Sequence, residues 1–239
     1  MKRLLKVAAP FLLVAFLTIS QGRAQNLLPP PVKLPDCEQR IAKAKAAISD
    51  YQSSSTSWSG RWDRVTDVKP ELRKYLKETY GWTFAGDAKT RQEIEVTFAK
   101  DKYDLKLSRL DDQGKVLGTS RFSGSDPEVT DILHNVQDMV MARCVYSWDY
   151  CGADDSFVSS SSTGWSASYL DPTKGYMPIK LLTGNFKLEG AASTVFSDFK
   201  QDTKTQRWIP WKMVDTMRVP EQNVVGKIIT MKCLEFAFD

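Results

Sequence analysis

Between residues 93 and 122, hydrophobic and polar side chains alternate along the chain. Apolar side chains take every second position in two stretches that a turn at 101–102 separates: Ile94, Val96 and Phe98, then Tyr103, Leu105 and Leu107. A period of two is typical of strands with one buried face. A second turn at 111–114 leads into a third such stretch, 115–122. The pattern predicts a three-stranded antiparallel meander with one face in solvent.

Elsewhere the hydrophobic period changes to that of a helix. The first predicted helix has Asp36 as N-cap and ends near the Ser/Thr cluster at 53–57, and a short second one runs from Pro70 to Tyr80 with Gly81 beyond it. A third, predicted over 126–143, begins at Asp126 and carries one apolar stripe, Val129, Ile132, Leu133, Val136 and Val140.

The C-terminal part of the chain is predicted to be strands. The candidates are 155–160, 164–170, 176–183, 186–189, 194–200, 207–218 and 225–238, and 58–65 is a further candidate near the N-terminus. About ten strands and two or three helices, without alternation of strand and helix, indicate the α+β class. We therefore expect one domain over residues 36–239, with a curved antiparallel sheet whose one face is covered by helices.

The N-terminus has the pattern of a secretory signal. Lys2, Arg3 and Lys6 precede an apolar run, 7–17, and Gly22-Arg23-Ala24 places small residues where a signal peptidase reads them. Residues 1–24 are therefore predicted to be a cleaved signal peptide, and the proline-rich 25–35 an extended arm. No other run approaches eighteen apolar residues, so no further membrane span is expected. The predicted location is periplasmic or secreted.

The net charge changes meaning once this leader is removed. The chain has 33 basic and 29 acidic residues and a net charge of +4. The leader holds four basic residues and no acid, so 33 − 4 = 29 basic residues remain against 29 acidic ones. A neutral mature chain does not indicate a nucleic-acid-binding protein.

An exported chain with four Cys is expected to form two disulfides. Cys144 and Cys151 enclose six residues, which suits a local bridge, and this leaves Cys37 to pair with Cys233. That long-range bridge would hold the first helix on the last strand. Pairing of Cys37 with Cys144 or with Cys151 is the alternative. A zinc site is disfavoured because the sequence has one His and no CxxC spacing.

Few catalytic chemistries are compatible with the sequence. It holds no G-x-S-x-G, no Walker loop and no G-x-G-x-x-G motif, and its one His, His134, falls on the polar side of the third predicted helix. Asp149, Asp154 and Asp155 could pair as in glycoside hydrolysis, although acids beside a turn more often cap it. We expect no catalytic residues, no metal and no cofactor.

The aromatic residues are more informative than the acids. Seven Trp residues are present, and Trp208 and Trp211 lie at positions of opposite parity in one predicted strand, so one of them leaves the core unless a bulge at Pro210 resets the register. Core packing explains many of these residues. A concave apolar surface for a ligand, with Met213 and Met217 as adaptable contacts, is the second explanation, and sugar stacking the third.

Two strings resemble a known family. Gly175-Tyr176-Met177-Pro178-Ile179-Lys180 and Arg207-Trp208-Ile209-Pro210-Trp211-Lys212, with the order of elements, are similar to the outer-membrane lipoprotein-sorting, or periplasmic lipoprotein-carrier (LolA-like), proteins. The resemblance implies an open antiparallel half-barrel whose concave face holds acyl chains. It also implies lipid or lipoprotein acyl chains as partners. The candidate ligand-binding residues are Tyr176, Trp208, Trp211 and Met213.

These observations predict an exported, non-enzymatic binding protein that holds an apolar ligand, a lipid or an acyl chain, on a curved sheet. A carbohydrate-binding or carbohydrate-cleaving protein is the first alternative, because exposed Trp residues and the acids at 149–155 could serve it. A structural component of the envelope or of a secretion assembly is the second.

Overall fold

A computed structural model describes most of the chain beyond the predicted signal peptide and arm. The described residues are 36–53, 57–83, 86–99, 102–123, 129–141, 148–152, 156–161, 164–185, 191–219, 222 and 224–238. The predicted signal peptide, the predicted arm and the candidate strand 186–189 lie outside these ranges.

One open antiparallel sheet of eleven strands dominates the structure, as the sequence predicts. The strands are β1 Ser57–Val68, β2 Lys89–Ala99, β3 Lys102–Leu110, β4 Val116–Ser123, β5 Tyr150–Cys151, β6 Phe157–Ser160, β7 Gly164–Asp171, β8 Met177–Asn185, β9 Ala191–Gln201, β10 Trp208–Arg218 and β11 Val225–Phe238. Their spatial order is β4-β3-β2-β1-β11-β10-β9-β8-β7-β6-β5, so the sheet ends at β4 and β5 and does not close.

Three α-helices accompany the sheet within the described ranges: α1 Cys37–Ser53, α2 Pro70–Tyr80 and α3 Thr130–Val140. The α1 and α2 bounds agree with the sequence prediction. Helix α3 lies within the predicted 126–143, and its predicted N-cap, Asp126, lies outside the described residues. A three-residue 3₁₀ turn, Pro172–Lys174, connects β7 to β8 at the turn that the sequence indicates.

Helices α1 and α3 pack on the same face of the sheet, which we call the covered face. The α3 stripe that the sequence predicts (Val129, Ile132, Leu133, Val136 and Val140) is buried in the main core against β1, β2, β10 and β11. Ala44 and Ile48 of α1 are buried in a smaller cluster over β5 to β7. The two helices meet where Gln52 Nε2 donates to the Met141 carbonyl at 3.0 Å. The prediction of a sheet with helices over one face is confirmed.

Close packing of the core depends on one glycine in β1. The Trp62 ring lies directly over Gly60, where a Cβ atom would be 2.3 Å from Cη2 of the indole. Any larger residue at Gly60 would therefore displace the indole, and overpacking of this kind is destabilising. The glycine lets a fully buried Trp lie flat against the sheet.

The predicted cysteine pairing is wrong. The structure bridges Cys37 to Cys151, with Cα atoms 5.9 Å apart, so the bridge fastens the start of α1 to edge strand β5. Cys233 is a buried free thiol in β11. Because β11 is six strands from β5, the two are about 29 Å apart along the sheet at 4.8 Å per strand, beyond the reach of a disulfide. Cys144, the other predicted partner, lies outside the described residues.

None of the helices in the described ranges is both long and apolar enough to cross a membrane.

Candidate ligand-binding face

Along every central strand the covered face changes from apolar to polar. Its apolar half is built from buried side chains that face one another across neighbouring strands: Trp58, Trp62, Ile94, Val96, Leu105, Phe196, Met213, Met231 and Cys233. Trp62 lies opposite Ile94 and Cys233. Ring pairs reinforce the packing, since Trp58 stacks on Phe98 with centroids 5.5 Å apart. Helix α3 covers this half.

On β1, β2, β9 and β10 the next positions on this face carry polar side chains, whereas on β11 the buried Ile229 comes first and Lys227 follows it. We call this region the polar end: Arg64, Thr66, Gln92, Thr194, Asp215 and Lys227. The registers place Thr66 opposite Ile229, Ile229 opposite Asp215, and Asp215 opposite Thr194, in one row across four strands. In β1 the change occurs between Trp62 and Arg64, two residues apart on one face. The covered face is thus amphiphilic along the strand direction.

Arg64 is the most deeply placed charge of the polar end. Arg64 is 8% exposed, and its Nη1 donates to Gln92 Oε1 at 2.9 Å. Burial lowers the pKa of Arg64, and the carboxylates of Asp131 and Asp215 oppose that shift. A guanidinium has five N–H donors, so one neutral amide leaves most of its hydrogen-bonding capacity available.

Asp215 is the acidic counterpart of Arg64 on β10. Burial raises the pKa of Asp215 from its ordinary value, while a hydrogen bond from Thr194 and the charges of Lys227 and Arg64 oppose that shift. Thr194 Oγ1 donates to Asp215 Oδ1 at 3.0 Å. Desolvation therefore outweighs the attraction of two nearby cations, and the polar end is a site of low water access.

Three buried polar atoms, two of the polar end and one of α3, have no hydrogen-bond partner among the described residues. They are Nε of Arg64, Oγ1 of Thr66 and Oδ1 of Asn135. Asn135 lies one turn beyond Asp131 on the same side of α3, and Asp131 is the helix residue whose charge acts on Arg64. A buried polar group without a partner costs about 1–3 kcal/mol, so a molecule that satisfied these atoms would gain binding free energy.

Two of the four predicted ligand-binding residues lie in or against the apolar half. Met213 is fully buried, opposite Met231 and Phe196. Trp211 is half-buried and packs against the main core, and Lys200 Nζ lies 3.3 Å from its ring centroid. Both residues are therefore on the side of the sheet that the sequence predicts for a ligand.

The other two predicted residues lie elsewhere. Tyr176 packs on the smaller cluster under α1, with a left-handed φ of 62°. Trp208 is half-buried, with Lys174 Nζ 5.9 Å from its ring centroid, and its carbonyl accepts from the Tyr51 hydroxyl at 3.4 Å. The β9–β10 register runs without a shift through Pro210, so no bulge brings Trp208 and Trp211 to one face. The structure does not gather the four residues into one site.

The residues proposed for the carbohydrate alternative show no paired-acid arrangement in the described part of the chain. Asp149 Oδ2 accepts the Ser160 N–H at 2.7 Å, as a capping acid does. Asp154 and Asp155 lie outside the described residues. His134 is exposed on α3, on the polar side that the sequence predicts.

Sequence reasoning missed Arg64, Thr66, Asn135 and Asp215. A signal was present for Arg64 and Thr66, since both continue the alternation that begins at Trp58 and Trp62 and therefore have the parity of core positions. Asp215 has the parity of Met213 in the same way. A charged residue at a core parity position is a candidate site residue, because burial of a charge is costly.

The comparisons with known proteins concern the fold. No family model and no curated protein matches the sequence. A solved outer membrane lipoprotein-sorting protein domain from Vibrio parahaemolyticus is similar over 84% of this chain and 91% of its own, with 10% identity and a TM-score of 0.43. A DUF1329 family protein from Desulfovibrio piger covers 83% of this chain and 93% of its own, with 8% identity and a TM-score of 0.41.

A LolA superfamily protein from Nitrosomonas europaea is similar over 82% of this chain and 94% of its own, at 13% identity and a TM-score of 0.31. The lipoprotein-sorting and LolA names match the family that the strings at 175–180 and 207–212 resemble. At such identities and TM-scores the chain is similar to LolA-like and lipoprotein-sorting proteins in fold alone.

Proposed function

We propose that the protein is a non-enzymatic binding protein that holds an acyl-chain ligand on the covered face. The acyl chain would lie along the apolar half and the polar head of the ligand at Arg64, Thr66 and Asn135. The observation that carries the proposal is the change from apolar to polar along one continuous, helix-covered face, with unpartnered buried atoms at its polar end.

The apolar half suits an acyl chain because of its side chains. Met213 and Met231 face each other below α3, and unbranched Met side chains repack around ligands of varied shape. Trp and Phe side chains supply large contact areas beside them. A lining of this kind, with a few polar groups at one end, is typical of sites for small apolar molecules.

The chemistry of the unpartnered atoms restricts the head group. Arg64 Nε is a donor and requires an acceptor, whereas Asn135 Oδ1 is an acceptor and requires a donor. A head with both functions, such as a glyceryl ester with its carbonyl and free hydroxyls, would satisfy both. A methyl ester would satisfy only the donor.

We further propose that the protein acts outside the cytoplasm. The leader pattern at 1–24 and the disulfide between Cys37 and Cys151 support this, since structural disulfides persist in oxidising compartments.

Displacement of a fluorescent polyene fatty acid by 1-monopalmitoylglycerol tests the site. The mature chain is expected to bind the probe and to release it to the glyceryl ester. Arg64→Met keeps the side-chain volume and removes the donor, so it should weaken the glyceryl ester by roughly tenfold or more, given about 1.5–3 kcal/mol for a charged hydrogen bond. Displacement by methyl palmitate, which cannot donate to Asn135, should already be weaker in the unaltered chain.

Arg61→Met is the matched control. Arg61 lies on the same strand but on the opposite face, where its Nη2 donates to Glu235 Oε1 at 2.8 Å. The control is expected to leave displacement unchanged. The proposal fails if the folded chain takes up no probe, or if Arg64→Met and Arg61→Met behave alike.

A further inference from the structure

An aromatic and basic surface lies at the end of α2, outside the covered face. Tyr80 is 49% exposed and Trp82 is 62% exposed, and their ring centroids are 5.5 Å apart. Tyr75 continues the row, with its ring 6.2 Å from that of Tyr80. Adjacent large aromatic side chains in solvent mark a binding surface more often than isolated ones do.

Trp82 borders a surface cavity with an excess of positive charge. The cavity has a volume of about 550 Å³ and is lined by Arg73, Lys74, Lys77, Glu78, Trp82 and Thr83. Three cations and one carboxylate give this lining a net charge of +2. Because the mature chain is neutral as a whole, the charge excess here is a local property of the α2 surface.

The backbone holds Trp82 in this exposed position. Gly81 ends α2 in the left-handed conformation, with φ of 70°, and its N–H donates to the Lys77 carbonyl at 3.0 Å. The Trp82 N–H then donates to the Leu76 carbonyl at 3.2 Å. Both bonds belong to the helix C-cap, so the indole is carried on a fixed turn. Only Leu72 of α2 is buried, which leaves most of the helix surface available.

The helix that carries this surface at its C-terminal end starts beside the polar end of the sheet. Strand β1 runs from the apolar half at Trp58 to the polar end at Thr66, and α2 begins directly after it. The Lys69 N–H donates to the Gly226 carbonyl at 2.8 Å, and a Cβ at Gly226 would be 3.0 Å from Leu72 Cβ, so α2 is packed against the start of β11.

We propose that Tyr80, Trp82, Lys74 and Lys77 form a docking surface for an anionic lipid membrane. Trp and Tyr concentrate at the level of the lipid head groups, where the ring is dehydrated and its polar atom stays wet. Lysines beside them are attracted to the negative surface potential of anionic lipids. Docking through α2 would direct the polar end of the covered face towards the bilayer. It does not require that the covered face hold a ligand.

Co-sedimentation of the mature chain with vesicles tests the docking surface. Vesicles of phosphatidylcholine with about one-quarter phosphatidylglycerol should bind the protein. Binding should fall as salt rises above about 0.1 M, because dissolved ions then screen the attraction between charges more than about 10 Å apart. Lys74→Glu/Lys77→Glu should lower partitioning to these vesicles by about tenfold or more. Trp82→Ala should lower it to anionic and to pure phosphatidylcholine vesicles alike, because the indole contact does not depend on charge.

Matched controls are available on β3, on β4 and in the turn between them, at the far edge of the sheet. Leu117 is 63% exposed, close to the 62% of Trp82, and Lys102 and Lys115 are exposed cations. Leu117→Ala and Lys102→Glu/Lys115→Glu should leave vesicle binding unchanged. The docking surface is refuted if the folded chain ignores anionic vesicles, or if the α2 variants bind as the controls do. Arg64→Met should bind vesicles normally, so failure of the ligand site and of the docking surface are separable.

Discussion

The two ends of the covered face use the same strands and differ in what they do for the protein. At Trp62, 1% exposed, the neighbours across the sheet are the apolar Ile94 and the thiol of Cys233, and burial stabilises the fold. Two residues further, Arg64 is 8% exposed. Its buried guanidinium carries a charge, has one amide partner and has an unpartnered Nε. The first position contributes stability, whereas the second costs it.

This difference shows where function is to be sought in such a fold. Replacing a buried ionic group by an apolar one of similar volume is often neutral or stabilising, so a buried Arg with few partners is weak evidence for a structural role. The stability gained by burying apolar side chains is enough to account for the apolar half. The polar end does not, and a ligand would supply the missing partners.

The largest loss of stability is expected where α1 is fastened to edge strand β5, away from both ends of the covered face. Cys37→Ala/Cys151→Ala opens a loop with a sequence separation of 114 residues, and the chain-entropy model gives about 4–5 kcal/mol for it. Denaturant unfolding measures the loss. Cys233→Ala, which removes a small buried side chain and no bridge, should cost only about 1 kcal/mol. Peptide mapping without reductant that joins Cys37 to any peptide but that of Cys151 would contradict the assignment.

A large loss is also expected within the apolar half itself. Trp62→Ala removes a fully buried indole and should lower the free energy of unfolding by about 3–5 kcal/mol. Trp82→Ala removes an exposed one and should change it by about 0.5 kcal/mol or less. Thermal and denaturant unfolding of the two variants compare the same chemical change in two environments. Equal losses would show that the burial difference between the two Trp residues is not what stabilises the fold.

At the polar end, a much smaller effect is expected from a chemically larger change. Arg64→Met removes a buried charge together with its bond to Gln92. We expect the unfolding free energy of the ligand-free protein to fall by about 1 kcal/mol at most, or to rise. Paired with the displacement assay above, this variant separates binding from folding. A loss as large as that of Trp62→Ala would place Arg64 among the structural residues.

The smallest effect concerns Asp215 and appears as a pH dependence. Because burial raises the pKa of Asp215, the folded protein keeps the proton to a higher pH than the unfolded chain does, so this residue costs stability as pH rises above the ordinary carboxyl range. Relative to the unaltered chain, Asp215→Asn should therefore gain a few degrees in melting temperature between about pH 4 and about pH 7. Asp104→Asn, at an exposed position, controls for the loss of one carboxylate. A gain that shrinks with rising pH would contradict the sign.

Much of the fold follows from local patterns. The alternation at 94–107 predicts β2 and β3, the cap residues predict α1 and α2, and turn residues at 171–175 separate β7 from β8. These features depend on neighbours in sequence, so they are readable without the tertiary structure.

The site was predictable only in part. The sequence indicates Met213 and Trp211 as residues of an apolar face, and the structure puts Met213 in the apolar half and Trp211 against the main core. Tyr176 belongs to the similar string at 175–180 and lies under α1. Trp208 shares its string with Trp211 but lies beside Lys174, because the two residues have opposite parity on β10. The polar end was missed because Arg64 and Asp215 are 151 residues apart and meet only through β11.

The sequence by itself determined most of the elements, the class of the sheet and the apolar faces of β2, β3 and α3, since side-chain periodicity is a local property. Only the tertiary structure decided the strand order, and with it which distant residues share a face. Strand order placed β11 between β1 and β10, brought Arg64 into the field of Asp215, and kept Cys233 six strands from Cys37 and β5. A disulfide or a polar site requires proximity in space, and proximity across a sheet is set by pairing that no single segment contains.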